Sequence, residues 1–326
     1  MKKTTIISIS LITILLFSIS VPAFCQEKGL ALWDEISPKS KIPLHVWISD
    51  GVDWLAINLA GFFDFITDVI NIINTGFYSF FSFFPTIKLG TSFPIFIPLL
   101  AFVLAGTSYL LAGWKVSVFT FLSLFLLFEL GLWQQTIQTL SLTLTAAFIS
   151  LVLGIPLGIW AGKSDPVEGG IRPVLDFMQT MPVFVYLIPA VMFFGIGVAP
   201  GVVATIIFAI PPAVRLTSLG IREIPVEVVE AGESFGCNAF ELLWKVELPM
   251  ARVSIMAGVN QTIMLSLSMV VIAALIGAGG LGGEVVKGIQ RMMVGRGIVA
   301  GIAVVFVAII LDRMTRYIGQ TRKGGR

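Results

Sequence analysis

The chain has 326 residues, a mean hydropathy of +0.97, 26 phenylalanines and only 12% charged residues, which places it among integral membrane proteins and not among soluble domains. A formal net charge of +2, with basic residues scattered among apolar runs and gathered only near the C-terminus (Arg313, Arg316, Arg322, Lys323, Arg326), offers no footprint for nucleic acid. Two cysteines, Cys25 and Cys237, and one histidine, His45, exclude a disulfide framework and show no metal-ligand spacing.

Residues 1–24 carry two lysines, an apolar stretch and Val-Pro-Ala before Phe24. They fit a cleaved signal, and the stretch is also long enough to be a retained anchor. The bulky Phe24 disfavours lipid attachment at Cys25. Residues 25–93 are mixed: Asp53, Asp64 and Asp68 interrupt Leu55, Phe62, Phe63, Phe65, Ile66 and Ile70. That pattern predicts an amphipathic helix on the membrane surface or packed on its own protein, the alternative being a partly ordered tail. Apolar runs follow at 94–114, 116–133, 139–162, 181–198, 202–220, 256–280 and 297–313, each near the roughly 20 residues that a helix needs to cross a bilayer. The fold class is therefore all-α and polytopic, with about seven spans.

Cytoplasmic flanks are enriched in Lys and Arg. With the C-terminus inside, the count puts 221–255, the Lys163–Arg172 loop and Lys115 inside, and residues 25–93 outside. Lys2 and Lys3 agree. Only Lys287, Arg291 and Arg296 fall on the wrong side, so the stretch after Gly280 is either re-entrant or a local exception.

Within LGIPLGIWAG, Gly154, Gly158 and Gly162 repeat every four residues and line one helical face for close approach of another helix, with Pro156 among them. Gly162-Lys163-Ser164 mimics the end of a phosphate-binding loop, but Leu157 stands where that motif needs glycine. Pro182, Pro189, Pro211 and Pro212 sit in or beside apolar helices, which serves either architecture or a transport path. In the block EVVEAGESFGCNAFELLWKVELP, Pro225 precedes a first short helix whose Glu227 and Glu230 suit the positive end of the dipole, and Gly236 ends it in a left-handed conformation. Asn238 and Glu241 have the spacing of a capping box for a second helix, which Pro249 is expected to end. Further on, NQTIMLSLS puts Asn260, Gln261, Ser266 and Ser268 in an apolar helix, as glue between helices or as lining of a pathway. Nothing pairs a nucleophile with a base, so no catalytic residue, metal site or nucleotide cofactor is assigned to this chain.

The spacing Glu230-Ala231-Gly232, three residues, Gly236, nine residues, Val246-Glu247-Leu248-Pro249 resembles the coupling motif of permease subunits of ATP-binding-cassette importers: Glu-Ala-Ala, three residues, Gly, nine residues, Ile, any residue, Leu-Pro. Gly232 and Val246 are the departures. The runs LDFMQTMPVFVYLIPAVMFFGIG, PPAVRLTSLGIREIP and NQTIMLSLSMVVIAALIGAGGLGGEV are similar to those of the glycine betaine/proline branch. The resemblance is strong over roughly 130 to 315, and the acidic N-terminal tail is similar to that branch's extension.

The resemblance implies a type I importer permease domain at 134–318, preceded by two accessory spans at 94–133 and followed by a basic cytoplasmic tail at 319–326. It implies a separate cytoplasmic ATPase, which uses the ATP, seated on the knob at 221–255. Glu230 would supply polar contact and Phe240, Leu243 and Trp244 apolar contact. It further implies a separate extracytoplasmic binding protein for a compact ammonium osmolyte, a second permease copy, and a path lined by Tyr186, Asn260, Gln261, Ser266 and Ser268. An ion-coupled transporter would need acids buried in spans, and Glu129 is the only acid well inside one, near its end. A channel would need only the glycine-rich helices. Neither rival accounts for the knob.

Overall fold

In a bilayer, apolar runs satisfy their backbone polar groups only as helices or closed barrels. The computed structural model, which describes residues 44–84, 86–89 and 95–319, is helical apart from one short hairpin. The signal or anchor, Cys25 and the basic residues beyond Gly319 lie outside the described residues. The chain divides into two compact units, Met1–Ile57 and Asn58–Arg326, and the described part of the first lies in helix α1 (Leu44–Asn58). The second unit contains α2 (Ala60–Ser82), β1 (Thr86–Leu89), β2 (Ile95–Pro98), α3 (Leu99–Ala112), α4 (Trp114–Glu129), α5 (Trp133–Lys163), α6 (Asp165–Thr180), α7 (Val183–Phe194), α8 (Val198–Arg222), α9 (Val226–Ser234), α10 (Ala239–Leu242), α11 (Leu248–Ala273), α12 (Gly280–Gln290) and α13 (Val294–Gly319).

The two strands pair antiparallel, Thr86 opposite Pro98 and Leu89 opposite Ile95, an element that the all-α expectation did not include. Helices α5, α8, the continuous stretch Ala239–Ile276 and α13 are each long and apolar enough to cross a membrane, and up to six spans result if adjoining short helices count as one. The expected span at 181–198 is corrected. Met181 is extended, Pro182 caps α7, and α6 and α7 meet at 99°, because the residue before a proline is driven out of the helical region. The run at 94–114 begins as strand and leaves a helix of 14 residues, while α4 has 16. The accessory helices are therefore shorter than expected.

Of the alternatives for the acidic tail, α2 packs on its own protein. Ile70 and Phe81 are buried, Phe63 stacks on Phe193 at 4.5 Å, and Asp64 and Asp68 stay exposed.

The centre of the bundle is α8, held between α5 and α11. The glycine face of α5 meets it directly. A Cβ on Gly154 would lie 2.8 Å from Ala213 Cβ, and one on Gly158 would lie 2.6 Å from Thr217 Cβ and 2.7 Å from the Val214 carbonyl oxygen. Two backbones approach this closely only where side chains are absent. Replacing Gly158 with Ala should cost about 2–3 kcal/mol, because a carbonyl cannot rotate aside. Gly169→Ala, in open space on α6, should be neutral or better. Thermal unfolding in detergent compares the two.

Candidate functional site

The motif from Glu230 to Pro249 becomes an elbow between α8 and α11. Helix α9 starts after Pro225 and ends in a left-handed turn: Gly236 has φ +85°, its N–H donates to the Glu233 carbonyl (2.8 Å), and Cys237 N–H donates to the Gly232 carbonyl (3.2 Å). These two bonds form a Schellman closure. The capping box is present: Glu241 N–H donates to Asn238 Oδ1 (2.8 Å) and Asn238 N–H donates to Glu241 Oε2 (3.2 Å). Lys245 donates to Glu241 Oε1 (2.8 Å). That bond, helped by the Asn238 N–H, holds the Glu241 carboxyl below its ordinary range, and the same pair raises Lys245. Gly232 is buried, and a Cβ there would lie 2.6 Å from Leu242 Cδ1. The departure from the motif's second alanine thus sits where α9 and α10 touch.

Pro249 does not end the second helix. Residues Leu243–Glu247 form a π turn in which Leu248 N–H reaches back to the Leu243 carbonyl, and the helix runs on into α11 with Pro249 in its first turn. A wide turn immediately before the proline accommodates its missing N–H. The elbow is consequently continuous with a membrane helix. Both its stalks are locked together: a Cβ on Gly220 of α8 would lie 2.7 Å from Ser254 Cβ of α11.

The tip is apolar and open. Phe240 is 69% exposed and Trp244 58%, their rings 6.0 Å apart, and Phe235 is 89% exposed. Glu230 and Ala231 are exposed beside them, while Leu243, Val246 and Leu248 are half-buried. Phe235 was not singled out from sequence, although its place before the turn glycine puts it at the tip. Glu247 was missed as well. It is 7% exposed, with Lys163 Nζ at the end of α5 standing 2.8 Å from its Oε2 as an ion contact and not an aligned hydrogen bond.

The five residues expected to line a path do not converge. Tyr186 is buried and its hydroxyl donates to the Met178 and Met181 carbonyls, bracing the α6–α7 corner. Asn260 faces α13, donating to Asp312 Oδ1 (3.3 Å) and accepting from Thr315. Gln261 and Ser268 are exposed, with Ser268 bonded to the Met264 carbonyl, whereas Ser266 is fully buried. None lines the cavity of about 750 Å3 whose walls include Gln134, Gln135 and Gln138 of α5, Ile276 and Gly277 after α11, and Glu284 of α12. Tyr186 lies on α7 and the other four on α11, and the side that each faces depends on neighbouring helices that the local sequence does not reveal.

Glu284 is 2% exposed and pairs with Lys287 (2.9 Å) and Arg296 (2.7 Å). This acid lies beyond the run expected to end at 280, on α12 and not in a loop, and it neutralises two of the three cations that broke the charge count. The Lys287 hydrogen bond holds the Glu284 carboxyl below its ordinary range against the opposing effect of burial, with Arg296 assisting. Two cations thus face this one buried carboxylate, an ion-paired arrangement that ties α12 to the start of α13. Since the folded value is depressed, its stabilisation is present above the ordinary glutamate range and is lost only as pH falls through the lower folded value. Glu284→Gln should lower detergent stability by about 2 kcal/mol at neutral pH, and the gap to the parent should close on acidification.

Residues 154–324 match the family model described as "Binding-protein-dependent transport system inner membrane component". The chain is 51% identical to the glycine betaine/carnitine transport permease protein GbuB of Listeria monocytogenes over 86% of this chain and 97% of that one. It is 44% identical to the glycine betaine transport system permease protein OpuAB of Bacillus subtilis, over 87% and 96% respectively. Its fold is like that of the inward-facing MetNI methionine ABC transporter, with a TM-score of 0.50 and 22% identity over 58% of this chain and 92% of that one. With the family model covering just over half of the chain and relatives matched almost end to end, this chain belongs to the family of binding-protein-dependent transport system inner membrane components.

Proposed function

We propose that the chain is the permease subunit of an importer that takes up glycine betaine or a related compact ammonium osmolyte such as proline, driven by ATP hydrolysed on a separate subunit. The observation that carries this reading is the rigid elbow with its exposed Phe235, Phe240 and Trp244. An aromatic patch held on a capped and stalk-locked support is the anatomy of a docking hot spot. The elbow seats in the cytoplasmic ATPase, with Glu230 at the rim, and a second copy of this chain completes the path across the inner membrane. The C-terminus and elbow face the cytoplasm, and ATP is bound by the partner only.

The cargo reading rests on the two relatives, whose names both specify glycine betaine. The path runs through the 750 Å3 cavity beside Gln134, Gln135 and Gln138; Asn260 is engaged by α13, and the exposed Gln261 stays available to a path shared with a second copy. No aromatic side chain lines that cavity among the described residues, so selection of the ammonium by aromatic faces is left to a separate extracytoplasmic binding protein. The test is uptake into vesicles holding the permease, its ATPase and its binding protein. Labelled glycine betaine should enter only with ATP, and a tenfold excess of unlabelled proline betaine should compete better than methionine. Uptake at full rate without ATP would reject the importer reading, and ATP-driven uptake indifferent to these competitors would reject only the cargo.

A further inference from the structure

Where the corner between α3 and α4 meets the end of α13, a cavity of about 470 Å3 is lined by Trp114, Lys115, Phe119, Ile309, Arg313 and Tyr317 among others, with no carboxylate in its wall. Neither Lys115 nor Arg313 has an acidic partner among the described residues, although the neighbouring Arg316 pairs with Asp312 at 2.7 Å. The cavity between α6 and α8 is different. There Arg215 and Arg222 are already matched by Asp176, Asp165 and Glu168.

Two like charges facing one cavity without a counter-ion favour an anion between them. The first turn of α4, Trp114 to Val116, adds N–H groups that have no intrahelical acceptor. The inner wall, by contrast, is apolar, formed by Phe119 and Ile309, and the same helices expose Leu110, Leu111, Val118 and Leu122 beside it. Trp114 and Tyr317 at the rim are the amphipathic residues found at headgroup level, and Arg313 stands near the end of the α13 span.

We propose that this cavity binds the headgroup phosphate of an anionic phospholipid, with Lys115 and Arg313 supplying the charge and the acyl chains lying on the exposed leucine and valine surface of α3 and α4. A free phosphate shares the headgroup's chemistry, but the apolar wall gives it nothing to contact. The inference needs only that the chain spans a membrane and is independent of cargo.

The test uses the full-length permease in detergent, titrated with phosphatidylglycerol or phosphatidylcholine carrying brominated acyl chains, and reads the tryptophan quenching that disappears in Trp114→Phe. Phosphatidylglycerol should quench at roughly 30-fold lower concentration than phosphatidylcholine, as expected for two cations at a headgroup. Lys115→Gln/Arg313→Gln should bring the two lipids within about threefold of each other, while Lys115→Arg/Arg313→Lys retains the preference and guards against a folding defect. Millimolar inorganic phosphate should leave the quenching unchanged. Equal quenching by both lipids in the parent, or a preference that survives the glutamine pair, would overturn the proposal. Displacement by inorganic phosphate would replace the lipid with a soluble anion.

Discussion

Gly236→Val should abolish ATP-driven uptake, a loss of more than about tenfold, with the protein still inserted and folded. The space around Gly236 is open, so a side chain there meets nothing. The whole cost comes from the backbone, which sits at φ +85°, where a β-branched residue is strained. Relief requires the turn to open, and the bonds from Gly236 N–H to Glu233 and from Cys237 N–H to Gly232 open with it. The elbow then loses its fixed angle while the membrane helices, packed elsewhere, keep theirs. Gly236→Asn separates this from a general sensitivity of the site, because asparagine tolerates the left-handed region. It should retain at least about half of the uptake. Uptake in vesicles, with surface expression measured alongside, distinguishes the outcomes, and equal loss in both variants would point to the side chain and not the backbone.

The second large effect is expected at Lys163. Its ion contact ties Glu247, at the root of the elbow, to the end of α5. The glycine face of α5 in turn grips α8. Lys163→Met leaves a buried carboxylate without its counter-charge, which should cost about 2–3 kcal/mol in detergent stability. Lys163→Met/Glu247→Met removes both charges and should recover most of that stability, since apolar pairs replace buried ion pairs at little cost. Solute moved per ATP hydrolysed should behave differently, falling about fivefold to tenfold in the single variant and staying low in the double. An elbow released from α5 absorbs part of the ATPase movement. Recovery of transport together with stability would reduce the pair to a structural role.

Much of the elbow was legible in the sequence because its determinants are local. Asn238 and Glu241 lie three residues apart and cap one turn, and Gly236 closes the helix just before them. The face of Gly154, Gly158 and Gly162 was legible for the same reason, since a repeat of four fixes a side of a helix whatever lies against it. Pro249 misled because a proline that ends one helix and a proline in the first turn of the next look alike in sequence, and the π turn at Leu243–Glu247 that decides between them leaves no local signature. The Lys163–Glu247 contact and the burial of Glu284 depend on helices far apart in the chain. Asn260 reads equally well as pathway or glue until α13 is known to bring Asp312 and Thr315 against it. The span expected at 181–198 came out short although its hydropathy is high enough: the helix begins only after Pro182 and stops at Phe194, where Gly195 and Gly197 take positive φ.

The most direct measurement is capture of the cytoplasmic ATPase by the purified permease, intact and as Phe240→Ala/Trp244→Ala. Both side chains are exposed at the tip of the elbow, so their loss should leave folding unchanged. If the elbow is the ATPase seat, affinity for the ATPase should fall about 30-fold or more, with ATP-driven uptake lost in parallel. Undiminished capture by the double variant would contradict it.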